Sequence, residues 1–266
     1  MSNEPYLLAN QPSELERLQL QSRVWEPSGG ELLSKLADGT GGRALDVGCG
    51  AMGWLRILSE WVGPSGTVVG SDIDERLLNA ARTFLASEQI SNVELVVDDL
   101  FDSKLESRSF DLVHARYVIA PLGRGEEQVA SYRELVRPGG SLVLEEWDLG
   151  SWHFNPAGPA AEKLIQLIAK VFAAVGGEAG RRLPELLRGV GIAEPEIAAH
   201  VIALKPRHPY LRLPIQFSVA LESRLLEMVS KDELASLRRD AEIEVAEPGR
   251  WGTSFTLIQS WGKLEG

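Results

Sequence analysis

The run Arg43-Ala44-Leu45-Asp46-Val47-Gly48-Cys49-Gly50-Ala51-Met52-Gly53 decides how the rest of the chain is read. Residues 44–47 form a short apolar run with an acid inside it, and the glycines that follow lead into an amphipathic segment over 52–62. A strand that turns through glycines into a helix leaves backbone N–H groups open to a ligand. The helix N-terminus behind them favours an anionic group. Something small and partly anionic is expected to bind here. Gly48-x-Gly50-x-x-Gly53 also satisfies the dinucleotide pattern, and Asp72 stands at about the right distance, roughly 20 residues on, to hold ribose hydroxyls. Two features pull away from a nicotinamide cofactor. Asp46, two residues before the first glycine, would repel a pyrophosphate, and the next strand tips carry further acids.

Outward from this run, short β-branched stretches at 67–70, 93–97, 110–114 and 141–145 alternate with helical periodicity at 75–87 and 126–136, the latter stopped by Pro138-Gly139-Gly140. That alternation is the pattern of parallel strands joined by helical crossovers. Upstream, Pro12-Ser13-Glu14 reads as a helix start with Ser13 as N-cap, and Leu15, Leu18, Leu32, Leu33 and Leu36 supply apolar faces. Downstream the periodicity is helical over 159–175 and 181–189, strand-like over 196–204 and helical again through 206–247. In that last stretch Leu211, Leu213, Phe217, Leu221, Leu225 and Leu226 are spaced for a buried face. A final strand is expected over 254–261.

The 266 residues bound this to one large domain or one domain with insertions. Hydrophobic residues at 44% and charged residues at 24% exclude a disordered or collagen-like chain. A net charge of -11 argues against nucleic acid as a partner. No stretch reaches the roughly 18 apolar residues of a membrane helix, and Met1 to Asn10 lack a basic region followed by an apolar run, so no membrane partner is expected. Cys49 is the lone cysteine, which fits a reducing, cytoplasmic setting. No metal-ligating cluster is visible.

At five places in order the residues resemble class I S-adenosylmethionine-dependent methyltransferases of the small-molecule type. Ala44 to Gly50 is similar to their first motif, Val69-Gly70-Ser71-Asp72-Ile73 to the second and Val93 to Leu100 to the third. Ser109 to Val113 is similar to the fourth motif, and Leu135 to Gly140 to the turn before the fifth strand. The family's third glycine usually falls where Met52 stands; here it is displaced to Gly53. The resemblance implies an α/β, Rossmann-like, doubly wound sheet of seven strands, six parallel and the last antiparallel, with helical cap insertions. It implies S-adenosylmethionine as methyl donor and a donor set of Asp46, Gly48, Gly50, Asp72, Ile73, Asp99, Leu100 and Ala115. Asp72 would take the ribose hydroxyls, Ile73 would pack on the adenine, and Asp99 with the Leu100 amide would meet its edge. Asp98 is expected to face solvent.

Acceptor-side residues are expected beyond the carboxyl ends of the fourth and fifth strands. They are His114, Arg116 and Tyr117, then Glu146, Trp147, Asp148, Trp152 and His153. His153 and Tyr117 are the catalytic candidates, should the acceptor carry a proton that must leave. The substrate candidates are Tyr6, Trp25, Arg116, Trp147, Trp152 and Phe217. Residues 1–40 would form an N-terminal helical cap on a methyltransferase domain, 41–266, with cover insertions at about 149–180 and 206–250. The acceptor would be a small, partly apolar metabolite of natural-product type; a homodimer is left open. Two other readings stand beside this one: an NAD(P)-dependent oxidoreductase using the glycine loop, and a non-catalytic donor-binding interaction module.

Overall fold

The computed structural model describes residues 12–174 and 179–265. Tyr6 and the side chain of Ser13, both assigned roles above, lie outside what is described. The opening run forms β1 (Arg43–Val47), flanked in parallel by β2 (Thr67–Asp72) and β4 (Phe110–Arg116). β3 (Val93–Val97) continues the parallel series beyond β2, and β5 (Val136–Asp148) beyond β4. β10 (Thr256–Lys263) runs antiparallel between β5 and β7 (Glu196–His200). The sheet order is β3-β2-β1-β4-β5-β10-β7, the expected doubly wound arrangement.

Alternation along the strands assigns each face. Leu45, Val69, Val113 and Leu142 enter one core, while Ala44, Val68, Leu112 and Val143 enter the other. The end of α1 (Pro12–Leu33), α2 (Leu55–Val62) and α3 (Glu75–Ser87) cover the second face. After the single turn α4 (Ile119–Leu122), α5 (Gly125–Leu135) and α7 (Ala179–Gly189) cover the first. α2 starts three residues later than expected because Asp46 Oδ2 accepts the Trp54 N–H at 2.7 Å and fixes the turn before it.

Further boundaries differ from the sequence reading. Pro138-Gly139-Gly140 lies inside β5, where Gly139 (φ 73°) donates to Leu264 O at 3.0 Å and Leu264 N donates to Gly140 O at 2.9 Å. The strand read over 196–204 breaks after His200. Ile202 N donates to Ser254 Oγ at 2.9 Å, and Ser254 N returns a bond to Ile202 O at 2.9 Å. The chain therefore leaves the main sheet, and β8 (Ala203–Leu204) joins β9 (Trp251–Thr253) and β6 (His153–Asn155) in a second, antiparallel sheet ordered β6-β9-β8. The same bonds hold Ser254 out of the last strand, which begins at Thr256.

α6 (Pro159–Ala174), α8 (Leu213–Ala220), α9 (Glu222–Leu225) and α10 (Lys231–Ala246) sit over the carboxyl ends of the strands. Trp147, at the end of β5, meets Phe172 of α6 at 4.8 Å and Phe217 of α8 at 6.0 Å between ring centres. α10 packs along α6, and α8 bridges α6 and α1. Glu244 of α10 accepts the first-turn N–H groups of Ala160 and Ala161 at 3.0 and 2.9 Å. Among the described residues, no helix is long and apolar enough to cross a membrane.

Candidate active site

The glycine loop is tied to the tip of β2. Cys49 N donates to Ser71 O at 2.9 Å and Gly50 N to Asp72 Oδ2 at 2.9 Å, while Asp74 N donates to Asp72 Oδ1 at 2.8 Å. Each Asp72 oxygen thus holds one backbone N–H and keeps a lone pair for another donor. Burial raises the Asp72 carboxyl above its usual range, with the Asp74 and Gly50 amides opposing it. Gly50 (φ 58°) has open space above it, where a side chain would meet only Leu18 of α1, at 3.9 Å. Gly53 (φ 47°) has none: a side-chain carbon there would fall onto Asp46 Oδ2 and within 2.8 Å of Cys49 O. This packing explains why the third glycine stands at 53. A carbon on Gly48 would press on Val118 at 2.8 Å.

Ile73 and Val97, at neighbouring strand tips, leave 66% and 52% of their surface exposed, an apolar face that a flat ring can cover. Asp99 is exposed, and its Oδ1 accepts Phe101 N at 3.0 Å; Leu100 beside it is half-buried. Ala115 is buried and pairs with Val47. Asp98 is buried instead of facing solvent: its Oδ1 accepts Lys104 N at 2.8 Å and its N–H reaches Asp72 O at 3.2 Å. It shapes the turn that presents Asp99 and Leu100.

Beneath the loop a buried polar row crosses four strands. Asp46 Oδ1 meets His114 Nδ1 at 2.7 Å, His114 Nε2 meets Glu145 Oε2 at 3.3 Å, and Gln259 Nε2 donates to Glu145 Oε1 at 2.6 Å. The Trp54 ring stacks on His114 at 3.8 Å. Burial opposes a charged imidazole, but Asp46 and Glu145 outweigh it and raise the His114 pKa. Burial likewise opposes an ionised Glu145, yet the His114 bond and the Arg116 charge lower it. With Trp54 N on Oδ2 and His114 on Oδ1, both oxygens of Asp46 are engaged inside the protein. Glu145 and Gln259 were not singled out from sequence. Their signal was a polar side chain inside strands that otherwise read as buried apolar runs.

Beyond β4 and β5 lies a packed aromatic cluster. Tyr117, in the left-handed region at φ 58°, stacks on Trp147 at 4.9 Å and meets the edge of Phe255 at 5.8 Å. Phe255 also packs on Trp25 (5.4 Å), Tyr210 (6.0 Å) and Trp152 (5.9 Å), which makes it the hub of the cluster; it went unnoticed in sequence because it sits at the head of a short strand signal. Arg116 Nη2 donates to Ser22 Oγ at 3.1 Å and Gly53 O at 3.4 Å, joining α1 to the glycine loop. Its Nη1 lies 3.7 Å from Glu145 Oε2. Glu146 Oε1 accepts the Ile119 and Ala120 N–H groups at 2.7 and 3.1 Å, and burial pushes its carboxyl up to about 8. His153 is exposed. It lines a separate cleft of about 420 Å³ with Trp152, Glu162, Gln166 and Arg181. Trp147 borders that cleft and stacks on Tyr117, which does not line it, so the two catalytic candidates are not brought together.

A family model described as a methyltransferase domain matches residues 38–210, from just before β1 into the cover. Demethylmenaquinone methyltransferase of Staphylococcus carnosus is 29% identical over 126 residues, which are 47% of this chain and 50% of that protein. The chain spans about half the length of the curated relatives it matches. Among solved structures, a SAM-dependent methyltransferase from Aquifex aeolicus aligns with a TM-score of 0.54 at 20% identity, over 73% of this chain and 92% of that one. Haemonchus contortus phosphoethanolamine N-methyltransferase 2, in complex with phosphomonomethylethanolamine and S-adenosylhomocysteine, aligns with a TM-score of 0.58 at 16% identity, over 97% of this chain and 59% of that one. These structures share its fold. The matched residues take in the glycine loop, Asp72, the turn at 98–104 and the tips of β4 and β5, and the chain belongs to the class I S-adenosylmethionine-dependent methyltransferase family.

Proposed function

We propose that the protein transfers a methyl group from S-adenosylmethionine to a small, partly apolar acceptor enclosed between the tips of β4 and β5 and the helical cover. The observation that carries this reading is Asp72. Its two oxygens each hold one loop amide and retain capacity for a diol, directly beside the exposed apolar face of Ile73 and Val97. A donor with a ribose and a purine fits these groups. When bound, it supplies a methyl carbon already activated by a sulfonium leaving group.

The chain's own residues then position and desolvate. Asp46, locked by His114 and Trp54 N, holds the loop and the start of α2 in place. Asp99 and Leu100 face the expected adenine edge, and Gly48, Gly50 and Ala115 leave room beside it. Arg116 draws α1 down onto the loop, so the cap and the donor site close as one unit. Trp25, Trp147, Trp152 and Phe217 wall the acceptor side and exclude water; positioning of this kind can supply roughly 7–11 kcal/mol of barrier reduction. Burial first, then Tyr210, keeps the Tyr117 phenol well above its usual pKa, so Tyr117 donates a hydrogen bond at neutral pH and does not abstract a proton. His153 acts, in this reading, from the cleft that it lines beside Trp147 and Trp152. Demethylmenaquinone and phosphomonomethylethanolamine, named for relatives, differ widely in chemistry and leave the acceptor to be read from this chain. The lone, buried Cys49 fits cytoplasmic work.

Titration calorimetry with S-adenosylmethionine, S-adenosylhomocysteine and NAD tests the reading. The first two should bind and NAD should not. Mass spectrometry should show a metabolite extract gaining one methyl with S-adenosylhomocysteine released. Binding of NAD alone, or donor binding with no turnover on any extract, would sink it.

A further inference from the structure

The strand register sets His114 between two acids. Asp46 of β1 pairs with His114 of β4, and Arg116 and Gln259 both pair with Glu145 of β5, so the side chains form one buried row beneath the glycine loop. His114 Nδ1 lies 2.7 Å from Asp46 Oδ1 and its Nε2 lies 3.3 Å from Glu145 Oε2. A neutral imidazole has one N–H, and an ionised carboxylate only accepts, so a neutral ring would turn one lone pair against another. Both contacts are satisfied only when the ring carries two protons. Burial opposes the charges, yet Asp46 and then Glu145 raise His114, and the His114 bond with the Arg116 charge lowers Glu145, which keeps the proton on the ring.

The groups facing the ring are Asp46 from β1, Glu145 from β5 with Gln259 of β10 behind it, and Trp54 at the head of α2, stacked on the ring at 3.8 Å. Arg116 Nη1, 3.7 Å from Glu145 Oε2, is the other cation of the row. Two cations then balance two acids, and loss of the ring proton would leave a buried negative charge unmatched. Asp46 passes the state of the row to the loop. Its Oδ2 accepts Trp54 N at 2.7 Å, and Gly53 packs so closely on that oxygen that a side-chain carbon there would overlap it. Arg116 Nη2 donates to Gly53 O at 3.4 Å from the other side. A ring with one proton either frees Asp46 or is driven off Glu145 toward Asp46, and both shift the anchor of the turn over 48–53.

We propose that His114, as an imidazolium, is the positioning residue of the donor loop, acting through Asp46, so that donor binding and the second ring proton favour each other. The proposal rests on the methyltransferase reading and deepens it at the donor side. Coupling of this kind is reciprocal: the factor by which the proton strengthens donor binding is the factor by which the donor strengthens proton binding. Glu145→Gln is the diagnostic variant. Its amide can donate to Nε2 while its oxygen accepts from Gln259, so a neutral ring satisfies both neighbours, and Asp46 and Arg116 remain as a balanced pair.

Calorimetry with S-adenosylhomocysteine between about pH 6.5 and 9.5 should show wild-type affinity falling at least about fivefold further than that of Glu145→Gln. Titration of the ligand's own amine and of Glu146, raised to about 8, is common to both proteins and cancels in the comparison. Nuclear magnetic resonance of the His114 ring, the one buried ring among four histidines, needs no variant. Saturating S-adenosylhomocysteine should raise its titration midpoint by at least about 0.7 pH unit, the same fivefold factor. If circular dichroism shows Glu145→Gln unfolded, the ring titration alone decides. Matching pH profiles in the two proteins, or a midpoint that the ligand leaves in place, would overturn the proposal. Failure of S-adenosylhomocysteine to bind either protein would instead overturn the methyltransferase reading. The row is then read on the ligand-free protein, where Glu145→Gln should lower the His114 midpoint by about one unit or more, and an unmoved midpoint would overturn the imidazolium as well.

Discussion

Gly50 and Gly53 have similar left-handed backbones and different neighbours, so they separate conformational strain from steric exclusion. Gly50→Ala adds a carbon near Leu18 alone and should cost about 1–2 kcal/mol for the left-handed backbone, leaving a folded protein. Gly53→Ala drives a carbon into Asp46 Oδ2, whose position is fixed from two sides, and should destabilise by more than about 4 kcal/mol. Thermal unfolding of the two variants checks this; equal losses would mean that the Asp46 carboxylate yields. Asp72→Ala removes an acceptor of loop amides and of the expected diol. At roughly 1.5–3 kcal/mol for each bond to a charged group, donor affinity should fall more than about a hundredfold. Calorimetry reads it directly, and unchanged affinity would remove the ribose role from Asp72. Sequence alone marked all three positions, since a glycine or an acid at a strand tip has few explanations. It could not say that Gly53 exists for Asp46, because that contact depends on how the turn closes.

Within the strands, titration couples the buried groups to stability. Glu146 sits in β5 with its carboxyl raised from 4.5 to about 8. A carboxyl raised in the folded state contributes stability that is complete below the unfolded value and lost as pH rises through the folded one. His114 in β4, raised above 6.5, works in the same direction at higher pH. The ligand-free protein should therefore lose stability as pH rises from 5 to 8, by up to about 1.4 kcal/mol per pH unit for each such proton. Glu146→Gln keeps an oxygen for Ile119 and Ala120 and should flatten the slope between pH 5 and 8. Denaturant unfolding at several pH values checks this, and an unaltered slope would show that Glu146 is ionised when folded. The strands themselves were legible from their apolar runs. The pairing of His114 with Glu145 and Asp46 was not, since it joins residues that only the parallel register places side by side.

At the scale of the molecule, the cover is held by contacts between segments far apart in the chain. Glu244 of α10 caps the start of α6, and β6, β8 and β9 join three connections into one small sheet. Glu244→Ala should release two buried N–H groups, at a cost of about 1–3 kcal/mol. The opening should be local: hydrogen exchange should quicken over Pro159–Ala174, while amides of β1 and β4 keep their protection and donor affinity stays within about twofold. Uniform acceleration across the sheet would show that cover and sheet unfold together and not as separable units.

The sequence by itself determined the doubly wound sheet, its crossovers and the donor edge, because hydrophobic period, glycine loops and strand-tip acids are local properties that need few partners to be read. It also placed Arg116, Tyr117 and Trp147 beyond the carboxyl ends of the fourth and fifth strands. Only the tertiary structure decided which of them meet. Trp147 parts Tyr117 from the cleft that His153 lines, Phe255 becomes the centre of the aromatic cluster, and strands of two or three residues pair across roughly fifty to a hundred positions of chain. Contacts of that kind carry no periodic signature, since each is fixed by packing among side chains brought together only after the sheet and its cover have formed.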